Sequence, residues 1–256
     1  MTVATEYKVP GLDVSVSPMH PSEVIEWIDS RVGQRTLMLN HNLHSAYLFN
    51  TEPEFRQTYE LADLSLVDGF PILVGVNVSR VAHLAAPLGG RYRTGSCDWI
   101  DHLTQSKFVR RVAVIGTDVD SNRRAARRIA ALDPRFVVEM WDGFGELEAL
   151  RRNGYRGLHD FRPDLILLGL GMPLQERLIR DDWDLLPEAV IATVGGALDQ
   201  LSGTQAMAPR YLGRCGMEWL YRLASDPRRL SHRYLVEPFL LGRCLGSRLR
   251  HKVHHS

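Results

Sequence analysis

A chain of 256 residues with 45% apolar composition is long enough to bury a core, which excludes a disordered protein. Three cysteines, an odd number with no CxxC spacing, exclude a disulfide framework and a zinc ribbon, and no run approaches the roughly 18 consecutive apolar residues of a membrane span. The balance of 31 basic and 30 acidic residues hides a division: from Gly203 onward ten Lys or Arg face three acids, so a tail of about +7 follows a body of about −6.

Along the chain, short apolar runs alternate with helical stretches, the pattern of parallel strands joined by crossover helices. Strands are expected at 36–39, 64–67, 111–115, 136–140, 165–168 and 190–194, and helices at 43–50, 121–132 and 174–180. The stretch 85–95 reads as a loop long enough to be functional. The expected fold is α/β, a Rossmann-like, mostly parallel sheet flanked by helices: residues 1–205 form the catalytic core and 206–256 a helical, basic appendage.

In open α/β sheets ligands bind beyond the carboxyl ends of the strands. The residues there are polar or glycine-rich: Asn40, His41 and Asn42, then Asp68 and Gly69, Gly116 to Asp118, Asp142 and Gly143, Gly169 to Gln175, and Gly195 with Gly196. They outline one nucleotide- or phosphate-binding crevice.

Within it, Gly169 and Gly171 form a GxG, but Leu174 stands where a dinucleotide fingerprint has its third glycine, so a nicotinamide-dependent oxidoreductase is weakly supported. Pro173 opens the following helix, whose first amides suit a diphosphate or a sugar hydroxyl, or make an ordinary tight turn. Asp118 with Asp120, and Asp182 with Asp184, have the DxD spacing that can hold a divalent cation; helix capping for the first and solvation for the second are the favoured readings. His41 and His44 are spaced to share a helix face, yet two histidines without a third ligand do not make a zinc site. No metal and no cofactor are assigned. Asp68, after a buried strand and before Gly69, is placed as a catalytic base with its side chain free, or else as a turn residue. The tail suits phosphate or an anionic membrane; the acidic body and the lack of an aromatic-basic motif argue against nucleic acid.

Taken in order, LNHNLHSAYLF, ADLSLVDGFPILVGVNV, RTGSCD, VAVIGTD, DLILLGLGMPLQERLI and VGGALDQLSGTQAMAPRYLGRCGMEWLYRLASDPRRLSHRY resemble the WecG/TagA/CpsF family of glycosyltransferases over about residues 36–240. The resemblance implies inverting, metal-independent transfer of a sugar from a UDP-sugar (N-acetylmannosamine, glucose or glucuronic acid type) to a polyprenyl-diphosphate-linked acceptor in surface polysaccharide synthesis. It implies Asp68 as the general base, Asn42 as the Asn of the family's TxN element with Asn40 where Thr is usual, and Gln175, Glu176 and Asp199 in the donor pocket. Met207-Ala208-Pro209 replaces the family's RAP, and Gly95-Ser96-Cys97-Asp98 is one residue longer than its G-x-D element, with Arg93 just before it. Gly116, Gly195 and Gly196 would line the donor site. Arg214, Arg222 and Arg229, with Arg228 and Arg233 as alternates, would neutralise the leaving diphosphate, since the guanidinium fork matches phosphate oxygens. The same segment, with Leu235, Phe239, Leu240 and Leu241, would rest on an anionic membrane, placing the protein on the cytoplasmic face. A homo-oligomer that buries this apolar surface is a second expectation. The alternative is a UDP-sugar-binding regulatory module that has lost transfer.

Overall fold

The computed structural model describes residues 4–206 and 217–254, excluding the side chains of 218, 222, 229 and 246–254. Six strands form one sheet: β3 (Thr36–His41), β4 (Leu64–Val67), β5 (Arg111–Gly116), β6 (Val137–Trp141), β7 (Leu165–Gly169) and β8 (Val190–Thr193). Their order is β4-β3-β8-β7-β5-β6, and every pairing is parallel, so all carboxyl ends lie along one edge. The expected strands are all present, shifted by a residue or two at their ends.

Parallel strands covered on both faces need apolar side chains on both faces. Met38, Leu66, Val112, Val114, Leu167 and Ala192 enter one core cluster, and Leu37, Leu39, Ala113, Ile115, Ile166 and Ile191 the other. The first is covered by α1 (Pro21–Asp29), α5 (Ser96–Ile100), α6 (Val119–Ala130) and α10 (Ala197–Ser202). The second is covered by α3 (Pro53–Glu60), α7 (Gly145–Arg152), α8 (Arg156–Phe161) and α9 (Leu174–Asp182). Helix starts carry their own signals. In α1 the side chain of Glu23 accepts from the His20 amide at 2.6 Å, and Pro21 fills the first turn, where no backbone donor is needed.

An amino-terminal hairpin, β1 (Tyr7–Val9) with β2 (Val14–Val16), was not legible in strands of three residues. It packs with α2 (Leu43–Thr51) and α4 (Phe70–Ala82) around a third cluster containing Val9, Val14, Val16, Ala46, Ile72, Leu73 and Val76. Gly75 permits this approach, since a Cβ there would lie 2.4 Å from Val9 Cγ1. The carboxyl-terminal part contains α11 (Glu218–Ser225), α12 (Pro227–Ser231), a π-helical turn (His232–Val236) and α13 (Glu237–His254). Leu241 of α13 is buried in the third cluster, so this helix is seated on α2 and the hairpin. Among the described residues no helix is long and apolar enough to cross a membrane.

Candidate active site

At the edge formed by β3 and β4, a register of His41 opposite Val67 sets Asp68 beside Asn42. The Asp68 amide donates to His41 O at 3.0 Å, and Asn42 Nδ2 donates to Asp68 Oδ2 at 3.2 Å. Asn42 is also the N-cap of α2: its Oδ1 accepts from the Ser45 amide at 3.1 Å while Ser45 Oγ accepts from the Asn42 amide at 2.8 Å. Helix start and carboxylate orientation are therefore set by one side chain. The Asp68 carboxylate is held, not free as its sequence context suggested.

Two glycines let the backbone close around it. A Cβ at Gly69 would lie 3.2 Å from both Cα and Cβ of Asn42, and one at Gly95 would lie 3.1 Å from Asp68 Oδ1 and 3.4 Å from Asp98 Oδ2. The loop arrives there because the Thr94 amide donates to Val67 O at 2.8 Å, continuing the sheet edge. Asp98 Oδ2 accepts from the Gly95 amide at 2.9 Å and lies 3.8 Å from Arg93 Nη2. The longer Gly95 to Asp98 element thus sets the carboxylates of Asp68 and Asp98 about Gly95, with Arg93 near Asp98. Arg233 on the π-helical turn donates from Nη2 to Asn42 Oδ1 at 3.4 Å. The Asn42 amide links an arginine to the Asp68 carboxylate.

A second group lies along the ends of β5, β7 and β8. Gln175 is buried; its Oε1 accepts from the Gly195 amide at 3.2 Å and its Nε2 donates to Glu176 Oε1 at 2.8 Å. Burial lifts the Glu176 carboxyl from 4.5 to about 7, and its Oε2 has no partner among the described residues. Gly116 has φ of +135°, and a Cβ there would lie 2.3 Å from Gly169 O, so β5 and β7 approach more closely than any side chain would permit. Thr117 Oγ1 donates to Asp199 Oδ1, tying the end of β5 to α10. A Cβ at Gly196 would lie 3.2 Å from Gln205 Oε1.

Asn40 joins the groups. It is 6% exposed, its Nδ2 donates to Thr193 O at 2.6 Å, and its carbonyl accepts from Tyr59 OH at 2.7 Å. Its Oδ1 has no partner among the described residues. Tyr59 was not visible as a site residue, because nothing in the local sequence says that its hydroxyl reaches the end of another strand. Arg233 was legible only as one of several tail arginines.

Of the other expectations, capping by Asp118 and solvation of Asp184 hold, and those for the two histidines and Asp182 are redirected. His41 and His44 do not share a helix face: His41 ends β3, stacked on Tyr59 at 4.1 Å, and burial holds its ring down to about pKa 3. His44 Nδ1 instead meets Glu237 Oε2 at 2.5 Å. Asp118 caps α6 through the amides of Asp120 and Ser121, both at 3.0 Å. Asp182 is not solvated; it is 8% exposed and accepts from Arg151 Nε and Tyr155 OH, both at 2.6 Å. Asp184 lies near Arg35 with its side chain 98% exposed. Arg214 lies outside the described residues, as does Met207; Arg222 and Arg229 fall on α11 and α12 with side chains outside the description, and Arg228 is exposed.

A cavity of about 350 Å³ lies elsewhere, between the hairpin, β4 and α3, lined by Ser15, Ser17, His41, Tyr59 and Asp63 among others. Two of its carboxylates already have partners: Asp63 Oδ2 accepts from the Leu37 amide at 2.8 Å, and Asp13 pairs with Lys8 and Arg56. The strand-end groups, whose convergence follows from the parallel sheet, are the better candidate site.

The family model described as the glycosyl transferase WecG/TagA/CpsF family matches residues 9–254, nearly the whole chain. The chain therefore belongs to this family of glycosyltransferases, which act in cell-surface polysaccharide synthesis and move a sugar from a nucleotide-sugar donor to an acceptor.

Proposed function

We propose that the chain transfers a sugar from a UDP-sugar to a polyprenyl-diphosphate-linked acceptor, with inversion and without a metal ion. The observation that carries this reading is Asp68, oriented at a strand end by Asn42, whose side chain also accepts from Arg233. In the reaction, the Asp68 carboxylate takes the proton of the acceptor hydroxyl. The acceptor oxygen attacks the anomeric carbon from the face opposite the diphosphate. The anomeric C–O bond breaks, and UDP leaves with the electron pair.

Leaving-group charge falls to arginine in this reading: Arg233, together with Arg214, Arg222 and Arg229 of the tail, with residues 206–256 acting as a cover over the core. Asp118 and Asp182, the carboxylates that open the DxD pairs, are engaged with helix amides and with Arg151, which supports a mechanism that does not route through them. Gln175, Glu176, Gly116, Gly195, Gly196 and Asp199 would hold the donor, and Asn40 its sugar. The donor sugar is of the N-acetylmannosamine, glucose or glucuronic acid type. A lipid-linked acceptor places the enzyme at the inner face of the cell membrane.

Asp68→Asn keeps the shape of the side chain and its bond with Asn42 in reach while removing the base. Sugar transfer by the variant is expected to fall by about a hundredfold or more, with UDP binding retained, and the wild type is expected to keep full activity in EDTA. Near-normal transfer by the variant removes Asp68 as the base. Abolition by EDTA with recovery on adding a divalent ion overturns the metal-independent mechanism.

A further inference from the structure

Helix α4 begins immediately after the proposed base and is built unlike the other core helices. Ile72, Leu73 and Val76 are buried in the cluster around the hairpin. Phe70, Val74, Val78 and Val81 lie on the other side, within an arc of about 80° at 100° per residue. Their exposures are 38%, 45%, 56% and 56%, and Leu84, just past the helix, is 98% exposed. A helix that is apolar on the solvent side as well as the core side has a second surface to cover.

Charge identifies the occupant. From Gly69 to Cys97 there is no Asp or Glu, whereas Arg80, His83, Arg91 and Arg93 fall in this stretch, in a body that is otherwise acidic. Arg91 and His83 are exposed, and Arg80 is half-buried against Tyr7. An apolar stripe in an acid-free stretch, with Arg91 exposed on the turn that packs on α4 while Arg80 and Arg93 are held by Tyr7 and Asp98, matches an anionic lipid surface, where the apolar side chains enter the acyl boundary and the exposed cation meets the headgroups. The location is also apt. Asp68, Gly69 and Phe70 are consecutive, and α13, through Leu241, packs into the same cluster as α4.

We infer that the exposed face of α4, with Leu84 at its end, is a membrane-docking surface for anionic bilayers, distinct from the basic tail. This rests on the reading of a lipid-linked acceptor and deepens it: docking by α4 sets Asp68 two residues from the lipid-facing Phe70, where a membrane-borne diphosphate presents its sugar.

The test uses the full chain and two exposed-face variants, one carrying Val74→Ser, Val78→Ser and Val81→Ser together and one carrying Leu84→Ser alone, each checked for an unchanged thermal transition. Binding is measured to phosphatidylglycerol-containing vesicles and to pure phosphatidylcholine vesicles, beside the oligomeric state in solution and transfer to a short-chain, water-soluble acceptor analogue. The expected result is binding of the wild type to anionic vesicles only, about tenfold weaker binding by the triple variant, a smaller loss for Leu84→Ser, and unchanged transfer to the soluble acceptor. If the variants bind vesicles as well as the wild type does, the inference is overturned while the lipid-acceptor reading stands. Failure of the wild type to bind any vesicle removes both. A change of oligomeric state with unchanged vesicle binding assigns the stripe to a second copy of the chain and overturns the lipid assignment.

Discussion

Glu176 and His41 both border Tyr59, and burial acts on them in opposite senses. The Glu176 carboxyl is lifted from 4.5 to about 7, so in the folded state it keeps a proton that the unfolded chain has already released; stability falls as pH rises through this interval. The His41 ring is held from 6.5 down to about 3, so the unfolded chain binds a proton that the folded one refuses; stability rises with pH through that interval. Where the intervals overlap, from 4.5 to 6.5, the two slopes offset each other. Each is worth at most about 1.4 kcal/mol per pH unit. The Glu176→Gln variant is therefore expected to convert a nearly flat profile into one that rises by roughly 2–3 kcal/mol across the overlap, as read by urea unfolding at a series of pH values. A variant with the wild-type profile would mean that Glu176 is ionised in the folded protein. Gln175 should keep its bond to the Gly195 amide in that variant, because the new amide oxygen accepts from Gln175 Nε2 as the carboxylate does.

Among the elements, α13 is the one whose seat bears most directly on the site. Among the described residues, the contacts that join the carboxyl-terminal segment to α2 include Glu237 with His44 at 2.5 Å, Arg233 with Asn42 at 3.4 Å, and Cys244 Sγ with Asn50 O at 3.9 Å. Glu237 is 6% exposed and is also approached by His232 Nδ1 at 3.5 Å. Glu237→Ala removes the acceptor for both rings, and the lost buried hydrogen bonding costs about 1–2 kcal/mol. Amide exchange in α13 should accelerate roughly 5- to 30-fold while the sheet strands are unchanged, and transfer should fall as Arg233 loses its place. Unchanged exchange in α13 would show that packing through Leu241 and Leu245, not Glu237, holds the helix. These contacts explain what the sequence concealed. The basic charge of the tail was plain, but the choice of Arg233 among its arginines depends on a helix docking nearly two hundred residues away from Asn42 in the chain. Asp68, Asn42 and Gln175 were legible because each directly follows a strand or opens a helix. Tyr59 acts through tertiary packing and left no local trace.

On the scale of the whole molecule, the parallel sheet could be read from six apolar runs, since strands buried on both faces need apolar side chains at nearly every position. The hairpin could not, because three-residue strands have too short a pattern and owe their stability to α4 and α2. Charge is distributed as unevenly as hydrophobicity: a body of about −6 precedes a tail of about +7, and the acid-free stretch after Asp68 adds a basic region within the body. A bilayer with anionic headgroups would attract the tail and the α4 region and repel the rest, orienting the enzyme as well as binding it. Such attraction is screened over a Debye length of about 8 Å at physiological ionic strength and about 3 Å at 1 M salt, whereas the burial of apolar side chains is not weakened by salt. Transfer to an acceptor embedded in anionic vesicles should therefore fall steeply as salt is raised, while transfer to a soluble short-chain acceptor should change little. The two curves separate orientation from chemistry. If both fell in parallel, salt would be acting on the proposed arginine contacts with the donor diphosphate, and the charge asymmetry would have no part in any placement of the enzyme on a membrane.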